Sequence, residues 1–291
     1  MSWWQNIPFF LVWGPLLLSS VTAVLKPRQA RAMMLIVPAA GTLASTALLI
    51  CLLASGESFR YALGAFGAPF GNELRAGALE AALAVTFCLI LFLCVLGGYQ
   101  RIRAHIETRR QSLYAVMVLL LQSGLMAQLF TNDVFTAYVF IEIMTIAAGA
   151  LVVARTRGRT LFAATKYMIM NLLGSGLFLL GISILYCLTE HLLMEDINDQ
   201  VLTLYATGAY ARPLTLSMAL ITIGLAVKSA LYPFHTWLPD AYASATPSSS
   251  AMLASLVSKA YIFLYIKFVV RVFGPTVFRA THIQTLLLIF S

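Results

Sequence analysis

Eight separate stretches of this 291-residue chain are each long and apolar enough to cross a lipid bilayer. A spanning helix needs about 20 predominantly apolar residues. Runs of that kind lie at approximately 6–25, 33–54, 79–99, 112–131, 133–154, 166–188, 213–240 and 247–271. A ninth begins near Val277 and is still apolar at Ser291. Composition agrees: 60% of residues are hydrophobic and 10% charged, whereas soluble domains carry about 25% charge. The expected fold is all-α and polytopic. The first run is read as a retained span, because "MSWWQNIP" has no positive region ahead of the apolar residues.

The net charge of +8 would suit nucleic acid, but its distribution argues otherwise. Lys26, Arg28 and Arg31 follow the first span. Arg101, Arg103, Arg109 and Arg110 follow the third, and Arg155, Arg157 and Arg159 follow the fifth, with Lys166 opening the sixth. The alternate connections balance Arg60 and Arg75 with Glu57 and Glu73, and "TEHLLMEDINDQ" after the sixth span is acidic. By the positive-inside rule the odd-numbered connections are cytoplasmic. The expectation is a protein of the cytoplasmic (inner) membrane with its N-terminus outside and no nucleic-acid partner. Cys51, Cys88, Cys94 and Cys187 all lie in apolar runs without metal-ligand spacing and read as small buried hydrophobes. No metal or cofactor site is expected.

Three ionisable residues cannot be assigned to loops. Glu142 lies nine residues beyond Asp133, roughly 13 Å into the fifth span. Lys228 lies fifteen residues beyond Pro213, about 22 Å into an unusually long seventh. Lys259 lies twelve residues beyond Pro247, about 18 Å into the eighth. A charge at such depth costs at least about 2.5–3.5 kcal/mol, so each must face a partner or water. A purely structural pair would need one acid and one base, and here two bases accompany one acid. Lys267 and Arg271 sit nearer a span end; Lys267 is expected to snorkel to the interface and Arg271 to be solvated.

The seventh span carries its own break. Pro233 removes the hydrogen bond to the Ser229 carbonyl, and freed backbone at this depth must line protein or water. His235 follows Lys228 at i+7, on nearly the same face of an unbroken helix, and imidazole titrates near pH 6.5. Relay residue and simple hydrogen-bonded histidine are both open readings. Thr246 is expected to cap a new helix with Pro247 in its first turn. Ser255 and Ser258 give that helix hydroxyls that could carry water toward Lys259, or serve packing. The "GSG" at Gly174 reads as helix packing.

The stretch "AVKSALYPFHTWLPDAYASATPSSSAMLASLVSKAYIFLYIK" resembles the signature of the antiporter-like subunits of respiratory complex I, membrane-bound hydrogenases and Mrp-type cation/proton antiporters. "FIEIMTIAAGALV" and "KYMIMNLLGSGLFLLGISILY" resemble that family's fifth and sixth helices. The resemblance covers roughly Leu113 to Arg271. It implies that Glu142, Lys228 and Lys259 form a mid-membrane proton relay, with His235, Ser255 and Ser258 as accessory groups and Pro233 as the helix break. When Glu142 is charged nearby it stabilises the Lys228 ammonium; without that influence burial expels the proton, which passes toward Lys259. Sodium is a candidate counter-ion. Redox chemistry, where present, would come from other subunits.

The resemblance also implies an organisation: residues 1–111 as an N-terminal three-helix segment, 112–271 as the first of two inverted five-helix repeats, and 272–291 as the start of a second. Inverted repeats place the site at their interface, so the expected partners are other membrane subunits and a polypeptide supplying the second repeat. The chain reads as a fragment or as half of a split subunit. Complex I members usually carry a histidine six residues before the eighth-helix lysine; here Leu253 stands there, which tilts the reading toward the Mrp and hydrogenase branches. Two alternatives remain: a secondary transporter for a small solute, with a hydrogen-bonding cavity, or a structural membrane protein that would tolerate neutral residues at 142, 228 and 259.

Overall fold

The computed structural model describes residues 3–62, 72–155, 158–208, 210–281, 283 and 285. Among the described residues eight helical segments are long and apolar enough to span a membrane, as the hydropathy pattern predicts. They begin with α1 (Ile7–Val24) and α2 (Pro27–Ser55), both with proline in the first turn, where its missing N–H costs nothing. Helix α2 ends at Gly56, whose φ of 71° suits a residue without a side chain. Next come α3 (Ala78–His105), α4 (Thr108–Phe130) and α5 (Val134–Val153). Asp133 caps α5 by accepting from the Thr136 N–H at 2.6 Å.

Helix α6 (Gly158–Thr189) is the sixth span. The seventh comprises α8 (Ala211–Ser229), a tight turn at Phe234–Trp237 and α9 (Leu238–Ser244). The eighth comprises α10 (Pro247–Met252), a wide π turn at Leu253–Val257, α11 (Ser258–Phe268) and a second π turn at Val269–Phe273. Helix α12 (Pro275–Ala280) is the described start of the ninth apolar run; most of the rest, including Ser291, lies outside the described residues, as does Arg157.

Three elements fall in two connections read from the sequence as plain loops. Strands β1 (Phe59–Ala62) and β2 (Glu73–Ala76) pair antiparallel, with Arg60 opposite Arg75. The acidic connection after α6 folds into α7 (Met194–Thr207), whose buried Met194, Ile197 and Val201 recur at helical spacing. Glu195 of α7 is bonded by Arg60 and by Arg75 (2.5 Å), so helix and sheet form one layer at what is termed the sheet end. At the opposite, basic end Arg31 bonds Gln111, Ser112 donates to the Leu25 carbonyl at 3.1 Å, and Lys166 pairs with Asp240 at 2.7 Å.

Helix α4 is the axis of the bundle: every residue from Leu121 to Phe130 is buried. Against it pack α1, α2 and α5, while α6 and α8 pack on each other over the most extensive helix–helix contact among the described residues. Gly174 and Gly224 explain that contact, since a Cβ on Gly224 would lie 2.7 Å from the Gly174 carbonyl oxygen. Small residues let helix backbones approach in membranes, and the packing role read for the glycine group falls to Gly174; a Cβ on Gly176 would meet open space. Cys88 is buried, whereas Cys187 is exposed, contrary to the uniform burial expected of the cysteines.

Candidate functional site at the helix break

Helix α8 stops at Ser229 because Ala230 turns left-handed, with φ of 58°. The Leu231 N–H then reaches back to the Ala226 carbonyl at 3.0 Å, a helix-ending arrangement in which glycine is the usual residue. The Val227 carbonyl accepts from the indole N–H of Trp237 at 3.2 Å. Freed backbone at this depth is therefore paired within the protein, as hydrocarbon demands. The break begins three residues before Pro233 rather than at the carbonyl its ring would orphan. Pro233 instead precedes the Phe234–Trp237 turn, and the Tyr232–Pro233 peptide is cis.

Lys228 occupies the last turn of α8 and is fully buried. Its Nζ lies 3.7 Å from Glu142 Oε1 of α5, and it donates to Thr145 Oγ1 at 2.8 Å. The Tyr261 ring of α11 sits alongside, with its centroid 5.4 Å from Nζ, within cation–π range. Thr145 donates to the Ile141 carbonyl at 2.8 Å, so its hydroxyl can accept from both Lys228 and Tyr261 OH, the latter at 3.2 Å. The glycine contact sets the position of the lysine: a Cβ on Gly174 would lie 3.2 Å from Lys228 Cγ.

A group of tyrosines surrounds the pair. Tyr167 of α6 is buried edge-on to Trp237, within electrostatic reach of Tyr261, Tyr242 and Glu142. Tyr242 of α9 shares a hydrogen bond with Ser258 at 3.2 Å. Three buried oxygens here, Tyr167 OH, Asn171 Oδ1 and Glu142 Oε1, have no hydrogen-bond partner. Buried polar atoms of this kind are ordinarily met by internal water. The sequence reading missed Tyr167, Tyr242, Tyr261 and Thr145. Only Thr145 carried a usable signal, one turn beyond Glu142 on the same helix face.

The other expected site residues lie elsewhere. Lys259 is exposed at the surface of the chain, its Nζ donating to the Ala254 carbonyl at 2.5 Å, and it does not reach the pair. His235 is exposed and stacked on Tyr232, with ring centroids 5.6 Å apart. The break turns it off the Lys228 face that an unbroken helix would share. Ser255 donates to the Ala251 carbonyl at 2.6 Å. Lys267 does not snorkel: it is buried and donates to the carbonyls of Leu129 (3.0 Å) and Thr131. Nor is Arg271 a free solvated end, since it pairs with buried Glu80 of α3. Among the described residues no group of three histidine, cysteine or acidic side chains could hold a metal ion.

These features define an integral, predominantly helical membrane protein with a buried lysine–carboxylate pair at a broken helix. Residues 131–291 match the family described as NADH:quinone oxidoreductase/Mrp antiporter, transmembrane, and the chain belongs to that family. It is 33% identical over 228 residues to NADH-quinone oxidoreductase subunit N of Desulforudis audaxviator, covering 77% of this chain and 44% of that one. A Na(+)/H(+) antiporter subunit of Bacillus subtilis is 30% identical over 197 residues, covering 68% and 38%. The chain thus spans less than half the length of these curated relatives. Among solved structures, the membrane-bound sulfane sulfur reductase, an archaeal respiratory membrane complex, aligns with a TM-score of 0.83 at 25% identity, over 96% of this chain and 57% of that one. The Mrp complex from Dietzia sp. shares the fold with a TM-score of 0.83 at 21% identity, over 95% and 50%.

Proposed function

We propose that the chain is a proton-translocating, antiporter-like subunit of a larger membrane complex. The observation that carries this reading is the buried Lys228–Glu142 pair at the end of α8. A buried ammonium is tolerated while a carboxylate and a hydroxyl face it, and it gives up its proton when that support is withdrawn. The reaction needs no covalent chemistry: an N–H bond on Lys228 breaks, a hydroxyl or water takes the proton, and another group receives it. Tyr242, Ser258 and Tyr167 line the approach from the basic end. His235, exposed beyond Pro233, is placed to exchange protons with water there.

Lys259 is then the handover residue. It lies at mid-membrane depth and faces outward together with Ile262 and Ile266. A charge there cannot rest in hydrocarbon without cost, so this face is covered by protein, with Ser255 beside it. The natural cover is the second inverted repeat, in the same polypeptide or in another. In that organisation residues 1–111 form an N-terminal segment, 112–271 the first repeat, and 272–291 open the second. The relatives named for quinone reduction and for sodium/proton exchange support protons as the substrate, with sodium as a candidate counter-ion and other membrane subunits as partners. The charge asymmetry supports a basic end in the cytoplasm and an N-terminus outside the cytoplasmic membrane.

The test uses native-membrane vesicles and a pH-sensitive dye. K228M should abolish proton flux while the chain remains in its complex. Wild-type flux in K228M would remove the pair from the mechanism.

A further inference from the structure

Asn171 of α6 is wholly buried beside the Lys228–Glu142 pair, and the relay described above gives it no part. Its place follows from contacts on either side of it. Tyr167, one turn earlier, lies against α5: a Cβ on Gly149 would be 3.5 Å from the Tyr167 ring. Gly174, three residues later, lies against α8, where its Cβ would be 3.2 Å from Lys228 Cγ. Positions 167, 171 and 174 share one helix face, so Asn171 faces the space between α5 and α8. Helices α5 and α6 are consecutive spans that run in opposite directions and pack on each other. Thr145 lies four residues before Gly149 on α5, and Asn171 four residues after Tyr167 on α6. Each step is a rise of about 6 Å toward the sheet end, so Asn171 and Thr145 are level on facing helices. Thr145 is the residue that accepts from Lys228 Nζ at 2.8 Å.

The Asn171 carboxamide is oriented by its own helix. Its Nδ2 donates to the Tyr167 carbonyl at 3.0 Å, which aims Oδ1 away from that backbone. Oδ1 is buried and meets no donor among the described residues. An asparagine that ties membrane helices together bonds across to a neighbour, whereas this side chain bonds only within α6. Hydrogen-bonding capacity around it is unspent. An ammonium carries three N–H donors. Lys228 gives one to Thr145, while Glu142 Oε1, at 3.7 Å, is an ion-pair partner beyond hydrogen-bond length. Tyr167 OH is also buried without a partner. Spare donors and spare acceptors at one level of the interior are the conditions under which proteins hold internal water.

We propose that Asn171 is a positioning residue of the relay, whose Oδ1 anchors the internal water through which Lys228 is loaded from the basic end. This rests on the relay reading above. The water donates one hydrogen to Asn171 Oδ1, which leaves its second hydrogen for neutral Lys228 and its oxygen for a donor on the Tyr167 side. In loading, an O–H bond of this water breaks and an N–H bond forms on Lys228. The water takes its replacement proton from the water or hydroxyl next in line toward Tyr242 and Ser258. The handover from Lys228 to Lys259 is unchanged. An apolar side chain at position 171 removes the anchor and interrupts the approach one step short of the lysine.

The experiment compares N171V, N171T and K228M in native-membrane vesicles. Proton flux is driven by an imposed potassium-diffusion potential, followed by a pH dye and normalised to the chain present. Valine and threonine have nearly the same shape, so any packing loss on replacing asparagine is common to both, and only threonine keeps an oxygen for water. N171V should lower flux about tenfold, the factor of one or two hydrogen bonds, and N171T should stay within about threefold of wild type. Wild-type flux in N171V, or equal losses in the two variants, makes Asn171 a packing residue and overturns the proposal. Where neither variant assembles, a high-resolution density map of the wild-type complex decides. Ordered water on Asn171 Oδ1 within hydrogen-bond distance of Lys228 or Thr145 upholds the anchor, and a side chain seated on Oδ1 overturns it. Flux that survives in K228M rejects the relay itself, and the anchor falls with it; flux lost in K228M but alike in N171V and N171T rejects only the anchor.

Discussion

Lys228 and Lys259 lie at similar depth, yet one is enclosed by its own chain and the other faces outward. Lys228 is held by Glu142, Thr145 and Tyr261. Lys259 donates only to the Ala254 carbonyl among the described residues. Their helices differ in how they are broken. Helix α8 stops at a left-handed residue, whereas the eighth span continues through a π turn at Leu253–Val257 just before Lys259. A π turn inserts one extra residue and so rotates everything beyond it by roughly 100°. Depth is a property of residue counting; direction is set by such local interruptions. The state of Lys228 is governed by groups within this chain, and that of Lys259 by whatever covers its face.

The sharpest way to break this contrast is at the buried pair. K228M should lower flux at least about a hundredfold and also destabilise the chain, because it leaves Glu142 Oε1 buried and unpaired. E142Q/K228M should recover the stability but not the flux. A double variant no more stable than K228M would show that the two residues are not coupled.

K259M should give the complementary result. Flux falls about tenfold, while stability of the chain by itself changes by no more than about 0.5 kcal/mol, as for other exposed positions. Thermal unfolding of detergent-purified chain separates the two variants. A K259M chain that unfolds as early as K228M would place Lys259 inside after all.

The environment of Lys228 can also be perturbed without touching a charge. Gly224→Ala introduces a methyl group 2.7 Å from the Gly174 carbonyl, pushing α6 from α8 at a cost of about 1–3 kcal/mol. Thr145→Val removes the hydroxyl that accepts from Lys228. Losing one such bond is worth about 1 kcal/mol, so flux should slow roughly fivefold, and Thr145→Ser should restore it. Equal flux in the valine and serine variants would show that the hydroxyl takes no part.

The spans were legible in the sequence because hydrocarbon imposes a length and a polarity that few residues violate. The depth of Glu142, Lys228 and Lys259 followed from the same counting. What counting could not supply was direction. His235 was read on the Lys228 face only because an uninterrupted helix was assumed, and the break at Ala230 invalidates that phase. Lys267 and Arg271 were read as interfacial because long cations near span ends usually are. The fold instead brings the end of α4 to Lys267 and Glu80 of α3 to Arg271, contacts across 138 and 191 residues that no local pattern announces. The sheet and α7 were missed for a related reason. Charged, glycine-rich connections look like loops until Arg60 and Arg75 meet Glu195 across the chain.

The smallest predicted effect separates the two kinds of break by backbone alone. Ala230 holds a φ of 58°, a conformation that costs an L-residue roughly 1–2 kcal/mol. Ala230→Gly should therefore stabilise the chain by up to about 1 kcal/mol, seen as a rise of about 2 °C in thermal unfolding. Ala254 lies in the π turn, between Met252 (φ −62°, ψ −46°) and Ser258 (φ −62°, ψ −35°), both with ordinary helical angles. Ala254→Gly gains no such relief and should cost about 1 kcal/mol, as glycine does within a helix. Opposite signs for the same substitution 24 positions apart would mean that strain is stored at the break beside Lys228 and not at the turn before Lys259. Equal signs would mean that Ala230 is held left-handed by its neighbours at no net cost, and that the position of Lys228 depends on packing between α6 and α8 alone.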